Sequence, residues 1–156
     1  MFAPYCIHIN ANWHWRRRQM VPLAEATAVD ESFDQKRGRL QPTALKGFAR
    51  AAEAWGLRNE EAARLLDMQL RTWNRAKKQG WEGRLGHDQF LRASALLGLF
   101  KGLHLYWTGP LADQWPTLPN QRPLFRGRRP VDAMIEGGLP AILSARNYVD
   151  ALRGGA

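Results

Sequence analysis

One stretch constrains the fold of this chain more than any other: HDQFLRASALLGLFKGLHLYW, from His87 to Trp107. On a helical repeat, Phe90, Leu91, Leu96, Leu97, Phe100, Leu103 and Trp107 spread around much of the circumference instead of along one stripe. Such a helix must be surrounded, either by the rest of its own core or by a second subunit. It is still too polar at its ends to read as a membrane span, and no run approaches the roughly 18 apolar residues a span needs. Gly98 and Gly102, four apart, would let another backbone come close. Tight packing is the ordinary use of such a pair and a dimer contact is the other. The helix looks too apolar for one face of a 156-residue monomer, so a homodimer that buries part of it is expected.

The flanks supply amphipathic helices rather than strands, which makes the expected fold class all-α. Residues 1–40 show little apolar periodicity and read as a poorly ordered arm. Within them, residues 1–19 are either an upstream extension from start-site choice or a disordered leader. From Pro42, Leu45, Phe48, Ala52 and Trp55 fall on one helical face, and Gly56 is placed to end that helix in the left-handed conformation. Asn59 then reads as the cap of a short helix with Glu60 and Glu61 in its first turn. Asp67 and Met68 make a turn, and a third helix runs from about Leu70 to Lys78, stopped by Gly80.

In that third helix Arg71, Asn74, Arg75 and Lys78 share a stripe, with Leu70 and Trp73 expected on the opposite side. A short helix, a tight turn and a basic, amide-bearing helix form a helix-turn-helix pattern. Arginine can pair with guanine edges, asparagine with adenine, and further cations with phosphate. The plain alternative is a solvated charged face. Asp67 stands where Gly is common, and Gln69 where a better cap such as Ser is expected, so the unit could be structural with only weak DNA binding.

Charge supports an anionic partner. The chain carries a net +9, and its distribution is uneven. Residues 40–86 hold nine basic and five acidic side chains, residues 122–156 hold six and three, and residues 87–121 are neutral. Positive charge therefore flanks the apolar middle.

Beyond Trp107 the pattern changes. A helical turn from Leu111 to Trp115 is ended by Pro116, and residues 116–130 form a Pro- and Arg-rich loop. Two helices follow, Pro130–Glu136 and Pro140–Leu152, each with proline in its first turn and broken by Gly137 and Gly138. Arg126, Arg128 and Arg129 have no acid nearby in sequence before Asp132, so they read either as a solvated loop or as an edge for an acidic surface or phosphate.

The single cysteine, Cys6, excludes an internal disulfide framework and a cysteine-based zinc site, which fits a reducing cytoplasm. No phosphate-binding glycine loop, metal-ligand spacing or nucleophile elbow occurs. His104 reads as a packed or partly exposed core residue. No cofactor, metal site or catalytic residue is expected, and no enzyme activity.

The text Trp115, Pro119–Asn120, LFRGRRPVDAMIEGG (Leu124–Gly138) and YVDALRGG (Tyr148–Gly155) resembles antitoxins of the Xre/MbcA/ParS group with their C-terminal toxin-binding domain. The Phe-x-Gly-x-x-Pro step followed by a helix and a glycine pair is its most specific part. Upstream, EAARLLDMQLRTWNRAKKQ and LGHDQFLRASALLGLF look like the family's helix-turn-helix and its long helix.

The resemblance covers residues 42–155 and implies a division into an arm (1–40), a helix-turn-helix unit with the long core helix (41–107) and a toxin-binding domain (108–156). It implies a bacterial type II antitoxin that blocks the active site of a RES-type toxin consuming NAD or transferring ADP-ribose, and that represses its own operon. Toxin contacts would fall on Phe125, Arg126, Arg128, Arg129, Tyr148, Arg153, Gly154, Gly155 and Ala156. The arginines would meet acids at the toxin's rim, and the Ala156 carboxylate would mimic phosphate. The alternative is a stand-alone helix-turn-helix repressor with a C-terminal dimerisation domain.

Overall fold

The computed structural model describes the backbone of residues 23–78, 81 and 83–154, with side chains from Gly38 onward within that range. Six helices account for the described order: α1 (Leu23–Ala54), α2 (Asn59–Leu65), α3 (Leu70–Ala76), α4 (His87–Tyr106), α5 (Pro110–Gln114) and α6 (Pro130–Gly154). No strand occurs among the described residues, so the class is all-α as the periodicity requires.

The apolar helix α4 is the central post, and α1, α5 and α6 lie against it. Leu96, Leu99 and Leu103 are fully buried, and Phe90, Leu97, Phe100 and Trp107 are half-buried against them. Each fully buried leucine contributes about 1.5–3 kcal/mol of transfer free energy. Partners within the same chain thus cover most of this helix, and its apolarity does not call for a second copy. The glycine pair serves the same intramolecular contact. A Cβ on Gly102 would sit 3.2 Å from Val149 Cγ1 of α6, and one on Gly98 would lie 2.7 Å from the Arg146 guanidinium.

Several helix ends follow local rules. Leu45, Phe48, Ala52 and Trp55 all face the core. Gly56 has φ 64°, its N–H bonds to the Glu53 carbonyl, and the next N–H, of Leu57, bonds to Ala52. Those two bonds satisfy carbonyls that the helix end would otherwise leave open. In α6 the chain breaks where the glycine pair stands: Gly138 takes φ 62°, ψ −150°, so α6 is two helices joined at a kink.

Two expectations change. The first helix starts at Leu23, not at Pro42, and Pro42 lies inside it, so the segment 23–40 is helical backbone and not an irregular arm. The rest of the expected arm, residues 1–22, lies outside the described residues, as do Cys6, Gly80, Gly155 and Ala156. The cap of α2 is Arg58 instead of Asn59. The Arg58 backbone N–H donates to Glu61 Oε2 at 2.9 Å, the carboxylate half of a capping box.

Candidate functional site

The site is built from two surfaces, one on α2 and α3 and one on the 116–129 loop. On the first, α2 and α3 meet through a turn in which Asp67 has φ 51°, the left-handed region that Asp tolerates better than most residues. Its carbonyl accepts from Gln89 Nε2 at 3.2 Å, and Gln89 Oε1 accepts the Gly86 N–H at 3.0 Å, so the turn is tied to the start of α4. Gln69 occupies the cap position of α3 without a side-chain cap bond.

Trp73 anchors α3. It is buried, its ring meets Phe48 edge-on at 5.6 Å, and its Nε1–H donates to Asn59 Oδ1 at 3.3 Å. Lys77 Nζ donates to the same oxygen at 2.7 Å. Freed from capping, Asn59 therefore pins the far end of α3 to the start of α2.

With Trp73 inward, the stripe turns outward. Arg71, Arg75 and Lys78 are exposed and Asn74 is half-buried. None of the four side chains makes a hydrogen bond or ion pair with another described residue. Leu70 does not share the inward side with Trp73. It is 38% exposed at the start of α3, an apolar group beside the stripe that periodicity assigned to the core.

The second surface is the 116–129 loop. Asn120 closes it: its N–H donates to the Arg128 carbonyl, its carbonyl accepts from Gly127, and its Oδ1 accepts the Arg122 N–H at 3.0 Å. Arg126 and Gly127 take consecutive positive φ values of 52° and 79°. The Phe-x-Gly-x-x-Pro step thus has three physical parts: a buried ring, a left-handed glycine and a proline that opens a helix.

Phe125 is 1% exposed and packs on Trp115 at 5.4 Å and Tyr148 at 5.8 Å, while Trp115 stacks on Trp107 and Tyr148. Phe125 is thus an internal anchor, and a surface contact is closed to it. Tyr148 is half-buried in the same cluster.

The arginines separate. Arg128 pairs with Glu136. Arg129 donates to both oxygens of Asp132, at 2.7 and 2.6 Å, and reaches back 68 residues to Glu61 Oε1 at 2.9 Å. Glu61 is buried, and burial alone would push its carboxyl up. Hydrogen bonds from the Arg58 side chain and backbone and from Arg129 outweigh that and hold it at about 2. The Asp132 carboxyl is lowered chiefly by its hydrogen bonds from Arg129. Arg129 therefore locks the loop to α2.

Arg126 alone of the three is exposed with no partner among the described residues. In the same loop Leu118 and Leu124 are also exposed, at 45% and 41%, apolar groups the sequence did not single out. A shallow groove of about 250 Å³ runs from Leu124 and Arg128 to Gly137 and Ala141. At the other end of α6, Arg153 pairs with Asp150 at 3.2 Å and Gly154 is exposed.

His104 is a surface-bridging residue. Nδ1 meets the Phe100 carbonyl at 2.9 Å and Nε2 meets Asp113 at 3.1 Å. Among the described residues no group of His, Cys, Asp or Glu could hold a metal ion, and no helix is long and apolar enough to cross a membrane.

Helices α2 and α3, joined at the Asp67 turn with a basic stripe facing outward and sharing one core with α4 and α6, define a helix-turn-helix protein. Residues 35–98 match the family model of the antitoxin Xre-like helix-turn-helix domain. The chain is 35% identical over 116 residues to the uncharacterized protein y4oB of Sinorhizobium fredii (strain NBRC 101917 / NGR234), covering 73% of this chain and 87% of that relative. No solved structure matches. The chain belongs to the family of Xre-like helix-turn-helix antitoxins, a class of DNA-binding regulators.

Proposed function

We propose that this protein is the antitoxin of a bacterial type II toxin–antitoxin pair, that its C-terminal domain covers the active site of a RES-type, NAD-consuming toxin, and that α3 represses its operon. The observation that carries the toxin-binding half is the outer side of the 116–129 loop. The same loop carries the unpaired Arg126 side chain and the exposed Leu118 and Leu124, on a scaffold fixed from within by Phe125 and Arg129. A free cation and exposed apolar groups on one anchored loop suit a protein partner with an acidic rim. Arg153 and the tail 154–156 would reach further, with the Ala156 carboxylate standing in for phosphate.

On the DNA side, Arg71, Asn74, Arg75 and Lys78 would read and grip a major groove, and Leu70 offers an apolar contact of the kind a thymine methyl accepts. Two half-sites one turn apart would need a homodimer.

The test is co-expression with the product of the adjacent reading frame. Co-purification and rescue of growth are expected, with rescue lost when residues 154–156 are deleted. Cutting back to Tyr148 would be uninformative, because Tyr148 and Val149 belong to the core. A full-length protein that folds, shifts its promoter and binds no neighbouring product would favour the stand-alone repressor.

A further inference from the structure

A groove of about 520 Å³ runs between the end of α3, the start of α2 and the outer face of α1, where no contact has been assigned. Lys46, Arg50 and Glu53 of α1 line one wall at a spacing of four and three residues, so they share a face. Lys77 and Lys78 line the other, and Asn59 holds the Lys77 ammonium in place at 2.7 Å. Four cations thus face one carboxylate. The side chains of Lys46, Arg50 and Lys78 have no partner among the described residues.

We propose that this groove is a DNA-backbone track, in which Lys46 and Arg50 take phosphates beyond those reached by α3. The proposal rests on the reading of α3 as a DNA-contacting helix and extends its footprint. Three features favour a polyanionic backbone over a small anion. Lys78 belongs both to the groove and to the α3 stripe, so the positive surface is continuous. The cations are exposed along the rim, and none is buried as a fixed pocket for one ligand would require. Lys46 and Arg50 lie one helical turn apart, about 6 Å along the axis, which suits neighbouring phosphates of one strand better than a single group. Contacts of this kind position the protein and carry no base information.

The experiment uses the full chain with the double variant K46Q/R50Q, and with K46R/R50K as the charge-preserving partner. Binding to the promoter duplex and to a scrambled duplex of equal length is measured across a salt series. Each phosphate contact contributes about 0.9 to the slope of log affinity against log salt, so K46Q/R50Q should lower the slope by about 1.8. Its disadvantage should therefore shrink roughly twelvefold between about 50 and 200 mM salt, equally on both duplexes, and K46R/R50K should keep the original slope. An unchanged slope in K46Q/R50Q, a loss confined to the promoter duplex, or an equal loss in K46R/R50K would each overturn the track while leaving α3 as the reader. Failure of the unaltered protein to bind either duplex would overturn the underlying DNA reading itself.

Discussion

The α3 stripe and the 126–129 loop are both arginine-rich, and their surroundings make them opposite kinds of surface. On α3, which ends at Ala76 and not at the expected Lys78, Trp73 supplies the anchor, and the side chains of Arg71, Arg75 and, just past the helix end, Lys78 are left without partners. In the loop, two of the three arginines are consumed internally: Arg128 by Glu136, and Arg129 by Asp132 and Glu61. Arginine density therefore does not measure available charge. What decides it is whether acids lie within reach in space, and Glu61 comes from a different helix 68 residues earlier.

The sharpest way to break this comparison is to remove the anchor of the loop. Phe125→Ala opens a hole beside Trp115 and Tyr148 and should cost about 3–5 kcal/mol. Thermal unfolding followed by circular dichroism would read this as a large drop in midpoint. A variant that keeps wild-type stability would mean that Phe125 is not an anchor, and the surface role suggested by the family motif would return.

The next effect concerns the lock between the 116–129 loop and α2. Glu61→Gln keeps the shape but loses charge-assisted bonds from Arg58 and Arg129, and should cost about 2–3 kcal/mol at neutral pH. The Glu61 carboxyl is depressed in the folded state from its ordinary 4.5 to about 2. Its contribution is therefore complete above about 4.5 and drains away as pH falls toward 2. The melting midpoint of the unaltered protein should fall more steeply across that window than that of Glu61→Gln. Parallel curves would show that the lock contributes nothing.

These two residues also mark what the sequence could reveal. The Gly56 stop, the Gly138 kink and the inward set Leu45, Phe48, Ala52 and Trp55 were legible because each depends on residues within one or two turns. The apolar wrap of α4 correctly demanded a covering, but pattern alone could not distinguish α6 from a second subunit. The start of α1 was hidden because Pro42 resembles a first-turn residue and 23–41 lack an apolar repeat. The burial of Phe125 and the Arg129–Glu61 pair depend on contacts across the fold, which spacing does not encode. For the same reason the stripe on α3 was found, while exposed Leu70, Leu118 and Leu124 were not.

Replacing Arg71 and Arg75 together with Ala tests the other half of the comparison. Both are exposed and unpaired, so the midpoint should move within about 0.5 kcal/mol. Binding to the promoter should fall by about 1–3 kcal/mol for each residue that reads a base. Stability and binding should thus separate on α3, whereas at Phe125 they fall together. An unchanged gel shift would remove α3 from the interface.

The smallest stability effect, and the finest test, is at Arg126. Its φ of 52° is the left-handed region, where any residue with a Cβ carries a similar penalty. Arg126→Ala should therefore leave the fold nearly as stable as before, since the same backbone is kept and no ion pair is lost. Arg126→Gly removes the Cβ penalty but gives the unfolded chain more freedom, so the two effects oppose and the net should stay within about 1 kcal/mol. If Arg126 is the loop's free cation for the partner, both variants should lose growth protection and co-purification with the neighbouring product to the same degree, despite their different backbone preferences. If Arg126→Gly alone fails, loop conformation and not charge is what the partner reads. If neither fails, recognition belongs to Leu118, Leu124 and the tail, and the contrast between a free arginine here and paired ones beside it has no functional consequence.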